Sequence, residues 1–187
     1  MLSFRSITLA PGRAAAAAIL LALGGLGGGC TNVPVDLAAS PAGRVKPATG
    51  RILTGAEVGN LAPRAMLCEQ YYAEVNSAWL DAWYQLFRRQ LYDIGFVHWD
   101  ERFDCNRFTD CYTNLAQAYF ALENFQSRTP ARALALGPFW YRPEHATSNH
   151  AIVQAITERG RIFIDPQTGQ EMHLTAGEER SAFWQMF

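Results

Sequence analysis

The chain has 187 residues, of which 49% are apolar, 12% aromatic and 18% charged, with a formal net charge of −1. That much apolar material excludes a disordered or collagen-like polymer. The near-neutral balance lacks the basic footprint that nucleic-acid binding needs, and the length suits one domain with a short appendage.

At the N-terminus, Arg5 and Arg13 form a basic region before a thirteen-residue apolar run at 14–26. A helix of that length spans roughly 20 Å, short of the ~30 Å hydrocarbon layer, so the run is predicted to be a secretory signal over residues 1–29. The run ends in Leu26-Gly27-Gly28-Gly29-Cys30, which resembles a bacterial lipoprotein lipobox. The resemblance implies cleavage before Cys30 and its diacylation, hence a membrane partner reached through a lipid anchor. Thr31 in place of aspartate implies the outer membrane, facing the periplasm of a bacterial envelope. Residues 30–50 are rich in Pro, Ala, Gly, Ser and Thr and are expected to be a flexible tether, leaving 51–187 as the folded domain.

Residues 64–94 contain no proline or glycine, and Cys68, Tyr71, Val75, Trp79 and Leu86 recur at helical spacing, so one helix is predicted there, ended by Gly95. A connector at 96–103 carries His98 and Trp99. Asp104 is a strong N-cap for a second helix at 104–126, with Phe108, Tyr112, Leu115, Tyr119 and Leu122 on its core face. Short strands are expected at 133–141, 150–157, 161–164 and 171–174, punctuated by Gly160, Asp165-Pro166 and Gly169. Thr175 and Glu178 form a capping box for a short closing helix. The expected class is α+β: two N-terminal helices packed on a small antiparallel sheet.

Three cysteines lie in the folded part, Cys68, Cys105 and Cys111. The last two sit about 9 Å apart along one predicted helix, beyond disulfide reach, so Cys68 can pair with only one of them. A Cys68–Cys111 bridge would close a loop of about forty residues and contribute some 3–4 kcal/mol. The alternative is that all three are small buried hydrophobes.

Cys105 occupies the first turn of the second helix, where free N–H groups and the helix dipole favour a thiolate. A thiol nucleophile needs a base and a group to orient that base. His150 at a strand start and Asp165 at the end of the next strand are the candidates. A hairpin loop at 156–159 sets those two residues opposite each other, about 5 Å apart at Cβ. A tighter turn at 159–160 slips the register by about four residues and separates them.

The order Phe103-Asp104-Cys105-Asn106-Arg107-Phe108, His150-Ala151, Ile164-Asp165-Pro166-Gln167-Thr168-Gly169 resembles the papain and transglutaminase-like superfamily. Within it, the closest branch includes phage-encoded proteins and the protease domain of a fungal agglutinin. The resemblance implies a papain-like fold and a peptidase-like triad of Cys105, His150 and Asp165. Asn106-Arg107 stands where that branch has an acidic pair, Val153 where it has asparagine, and Asp165 where it has glutamate. The oxyanion partner is left unassigned: the Cys105 amide is one candidate donor, and His98 and Trp99 are others nearby. No close pair of metal ligands appears, so neither a metal nor a cofactor is expected.

Two functions follow as expectations. The first is an envelope-anchored thiol hydrolase or acyl transferase acting on peptide or amide bonds, in protein or in peptidoglycan stems. The second is a non-catalytic lipoprotein that binds an envelope partner on the same fold. The aromatic run Phe139-Trp140-Tyr141, with Trp79 and Trp83, either lines a glycan or peptide groove or belongs to the core.

Overall fold

A computed structural model describes residues 44–96, 100 and 103–187. The predicted signal segment, Cys30, most of the expected tether, His98 and Trp99 lie outside the described residues. In chain order the elements are β1 (Ala48–Thr54), α1 (Gly55–Leu61), β2 (Tyr71–Val75), α2 (Ser77–Asp93), α3 (Cys105–Glu123), β3 (Ala133–Leu134) and β4 (Leu136–Tyr141). They are followed by β5 (His150–Thr157), β6 (Gly160–Ile164), β7 (Glu171–Met172), α4 (Ala176–Arg180) and β8 (Trp184–Gln185).

The expected architecture needs correcting on two counts. The two long helices are not N-terminal, because β1, α1 and β2 precede them. The sheet is not small and antiparallel: it has eight strands in the path β1-β2-β5-β4-β8, with β6 on β5 and β7 on β6, and β2 runs parallel to both β3 and β5. The helix expected at 64–94 is therefore a strand followed by a shorter helix. Tyr72, Ala73, Glu74 and Val75 are buried in succession, the mark of a strand covered on both faces. Asn76 then accepts from the Ala78 amide at 3.1 Å and starts α2. β1 escaped notice because only Leu53 of its seven residues is buried, so it carries no apolar alternation.

α2 and α3 meet through rings. Trp79 and Trp83 stack at 5.1 Å, Tyr112 meets Trp83 edge-on at 6.0 Å and Phe87 at 5.1 Å. α3 lies over the sheet, and the Gln117 carboxamide fixes it there. Nε2 donates to the Leu134 and Leu136 carbonyls at 3.1 and 2.8 Å, and Oε1 accepts from the Leu134 amide at 2.9 Å. The opposite face of the sheet buries Phe139, Tyr141, Ile152 and Phe163 against Ala182. Both faces are thus covered, and β5 is buried from Ala151 to Thr157.

Candidate functional site

Asp104 caps α3 as its sequence implies, accepting from the Asn106 and Arg107 amides at 3.1 and 3.3 Å. That cap has a chemical consequence. The Asn106 and Arg107 amides already bond that carboxylate, so the Asn106 and Cys105 amides steady a Cys105 thiolate only in small part, and Asp104 opposes a second negative charge beside it. The Cys105 sulfur is half-buried, 3.7 Å from the Asn106 side-chain oxygen and faced by the amide of Ala151 in β5. Burial pushes its thiol up, Asp104 adds to this, and the Ala151 amide only partly offsets it. The expected lowering of its pKa is not what the surroundings produce.

His150 opens β5 opposite Tyr141, with the rings 6.0 Å apart. Burial lowers its proton affinity and the Asp165 carboxylate raises it in part. The β5–β6 turn is Glu158-Arg159, with Thr157 facing Gly160 and Val153 facing Ile164. One step further along that register, Asp165 lies across from Ile152, two residues from His150. Neither expected register is the one found. The register continued past β6 makes the two residues diagonal neighbours, and the Asp165 carboxylate is near enough to act on the His150 ring.

Asp165 also organises its own loop. Its carboxylate accepts from the Gln167 amide at 2.8 Å and its carbonyl from the Gly169 amide at 2.7 Å. The Tyr84 hydroxyl of α2 donates to the Gln167 carbonyl at 3.0 Å. Gly169 has φ +75°, and a Cβ there would lie 2.4 Å from the Tyr84 ring. The Pro-Gln-Thr-Gly run, the most specific part of the resemblance, is therefore a turn docked on α2.

Strand alternation separates the aromatic run. Phe139 and Tyr141 are buried on one face, whereas Trp140 turns to the other, directly across from Ala151 and so toward the Cys105 end of α3. Trp184 of β8 pairs with Trp140, their rings 5.1 Å apart and nearly perpendicular, and Phe183 meets Trp140 at 6.2 Å. Phe183 is 53% exposed and Trp184 36%. Sequence reading missed both because they follow the closing helix, and the adjacent Phe183-Trp184 pair was the available signal. Trp79 and Trp83 belong to the core.

The disulfide expectation is corrected. Cys68, Cys105 and Cys111 are all free. Cys68 is exposed in the segment before β2 and not on a helix facing α3. Among the described residues no three His, Cys, Asp or Glu side chains group as a metal site.

No family model matches the chain, and no curated protein matches it. Solved structures do. One titled a PSL1a–E64 complex is 19% identical at a TM-score of 0.57, covering 73% of this chain and 51% of its own. Another is Polyporus squamosus lectin bound to the human-type influenza-binding epitope Neu5Aca2-6Galb1-4GlcNAc. It is 18% identical at a TM-score of 0.56, covering 73% of this chain and 49% of its own. The chain spans about half the length of these neighbours. The papain-like resemblance is corrected accordingly, and the hydrolase expectation loses the support it drew from that resemblance. One of these neighbours carries the name of a lectin.

Proposed function

We propose that the described unit is a binding module for carbohydrate, held at the aromatic edge of β4 and β8. The observation that carries the reading is the wall formed by Trp140, Phe183 and Trp184, exposed at its outer end on two adjacent residues. Such rings offer a flat apolar face to the C–H side of a sugar, while the ring hydroxyls stay in water. The neighbour titled as a lectin with a bound trisaccharide supports the ligand class. A glycan ligand replaces the peptide or peptidoglycan-stem partner expected from the resemblance. On an array of immobilised glycans the full chain should retain a subset, and Trp184→Ala should lose it while keeping the wild-type circular dichroism. Equal retention by the variant would contradict the reading.

A second reading is favoured by the Ala151 amide facing the Cys105 sulfur and by Asp165 acting on His150, together with a neighbour titled as an E64 complex. In it Cys105 is a nucleophile toward a bound amide or ester carbonyl, His150 its base and Asp165 the orienting group. Incubation with E64, followed by peptide mass mapping, tests it. A covalent adduct on Cys105 that His150→Ala abolishes supports this reading, and an unmodified Cys105 contradicts it. Anchoring through diacylated Cys30 in the outer membrane remains our proposal for the site of action. Radiolabelled palmitate should enter the wild type and not Cys30→Ala.

A further inference from the structure

On the opposite side of β5 from the aromatic edge, a cleft of about 410 Å³ opens between α2, α3 and the β6–β7 strands. Its floor is apolar, built from Leu80, Ile162 and Ile164. Its rim is polar and of mixed sign, with Asp81 on α2, and Arg159 paired to Glu171 at 2.8 Å across from it. The volume falls in the range of small-ligand pockets, and the combination of apolar floor and convergent polar groups is their usual build.

One group in the wall lacks a partner. The Tyr112 side chain is fully buried, and its hydroxyl meets no hydrogen-bond partner among the described residues. Tyr112 is one of the residues lining the cleft, and its hydroxyl lies in the field of Asp81, another lining residue. A buried hydroxyl left unbonded costs roughly 1–3 kcal/mol, which a ligand hydroxyl would recover.

We infer that this cleft is a second ligand site, for a neutral polyhydroxylated ring the size of one monosaccharide. The mixed lining decides the class. Arg159 disfavours a cation, and Asp81 with Glu171 disfavours an anion. Hydroxyl groups both donate to carboxylates and accept from a guanidinium and a phenol. The C–H face of the ring would lie on Leu80, Ile162 and Ile164. The inference takes only its ligand class from the carbohydrate reading, because the site is separate from the Trp140–Trp184 wall. The module would then engage two sugar units of one glycan or of two neighbouring glycans, with the avidity such linkage brings.

The test uses the full chain labelled with ¹⁵N, and glucose, galactose, mannose and N-acetylglucosamine as probes. With at least one sugar, the amide resonances of Gly169 and Glu171 should shift. Tyr112→Phe and Asp81→Asn should each weaken that binding about tenfold, the loss of one good hydrogen bond. Tyr112→Phe removes only an unpartnered atom, so it should fold like the wild type. Trp184→Ala should leave the Gly169 and Glu171 shifts intact. Shifts confined to Trp140, Phe183 and Trp184 would overturn the second site and leave the carbohydrate reading standing. Shifts at Gly169 that neither substitution weakens would also overturn it. If Gly169 and Glu171 stay still with every sugar, the cleft is not a monosaccharide site.

Discussion

At Cys105 two features of one sequence motif work against each other. A helix N-terminus favours a thiolate, yet the residue that best starts a helix, Asp104, shares the Asn106 amide, binds that of Arg107 and adds a negative charge. Burial decides the balance, and the thiol is held above its ordinary range. Iodoacetamide labelling at Cys105, followed by mass spectrometry against pH, should therefore show a midpoint above that of a free cysteine. Asp104→Asn should lower the midpoint. A wild-type midpoint well below ~8.5 would instead mark an activated nucleophile. His150 yields a second expectation at this scale. Burial holds its folded-state pKa below the ordinary 6.5, so the unfolded chain binds the proton more readily. The stability tied to neutral His150 is present above about pH 6.5 and is lost as pH falls below it. Urea unfolding at pH 7.5 and 5.5 should show that loss, and His150→Gln should reduce it; an identical slope in the variant would contradict this.

Among the elements, legibility followed local signals. α3 begins where Asp104 caps it, β5 spans the run from His150 to Thr157, and α4 opens on the Thr175–Glu178 box. Each has its cause within a few residues. β1 and the first half of the supposed 64–94 helix do not. Tyr71–Val75 is a strand because β1, β3 and β5 lie beside it, a condition set by residues from 48 to 157. Its Cys68, Tyr71, Val75 spacing matched a helix by coincidence of period. The outer wall of the site was hidden for the same reason, because β8 acquires meaning only by pairing with β4. β8 is pinned by Arg161, which lies over the Phe139 and Phe163 rings at 5.3 and 4.7 Å. Its guanidinium donates to Gln154 at 2.7 Å and Gln185 at 3.0 Å, and pairs with Glu179 at 3.4 Å. Arg161→Ala should cost about 2–3 kcal/mol of stability and also weaken glycan retention, although Arg161 is not part of the wall. Denaturant unfolding and the glycan array check the two effects, and undiminished retention would show that β8 holds its place without Arg161.

Across the whole molecule, β5 divides two surfaces. On one side Trp140, Phe183 and Trp184 stand beside the Cys105 end of α3, and on the other the cleft opens over β6 and β7. His150 opens β5 and Asp165 follows the end of β6 between these surfaces, and of the aromatic wall the sequence pointed to Trp140 but not to Phe183 or Trp184. The site residues chosen from sequence were those with chemical reactivity, and apolar contact surfaces leave no comparable motif. The central claim is that glycan is bound by the Trp140–Trp184 wall, and the indole N–H resonances of the full chain, titrated with a glycan retained on the array, test it most directly. The Trp140 and Trp184 signals should move together and saturate, while those of the core residues Trp79 and Trp83 stay fixed. Movement of Trp79 and Trp83 alone, or of no indole at saturating glycan, would contradict it.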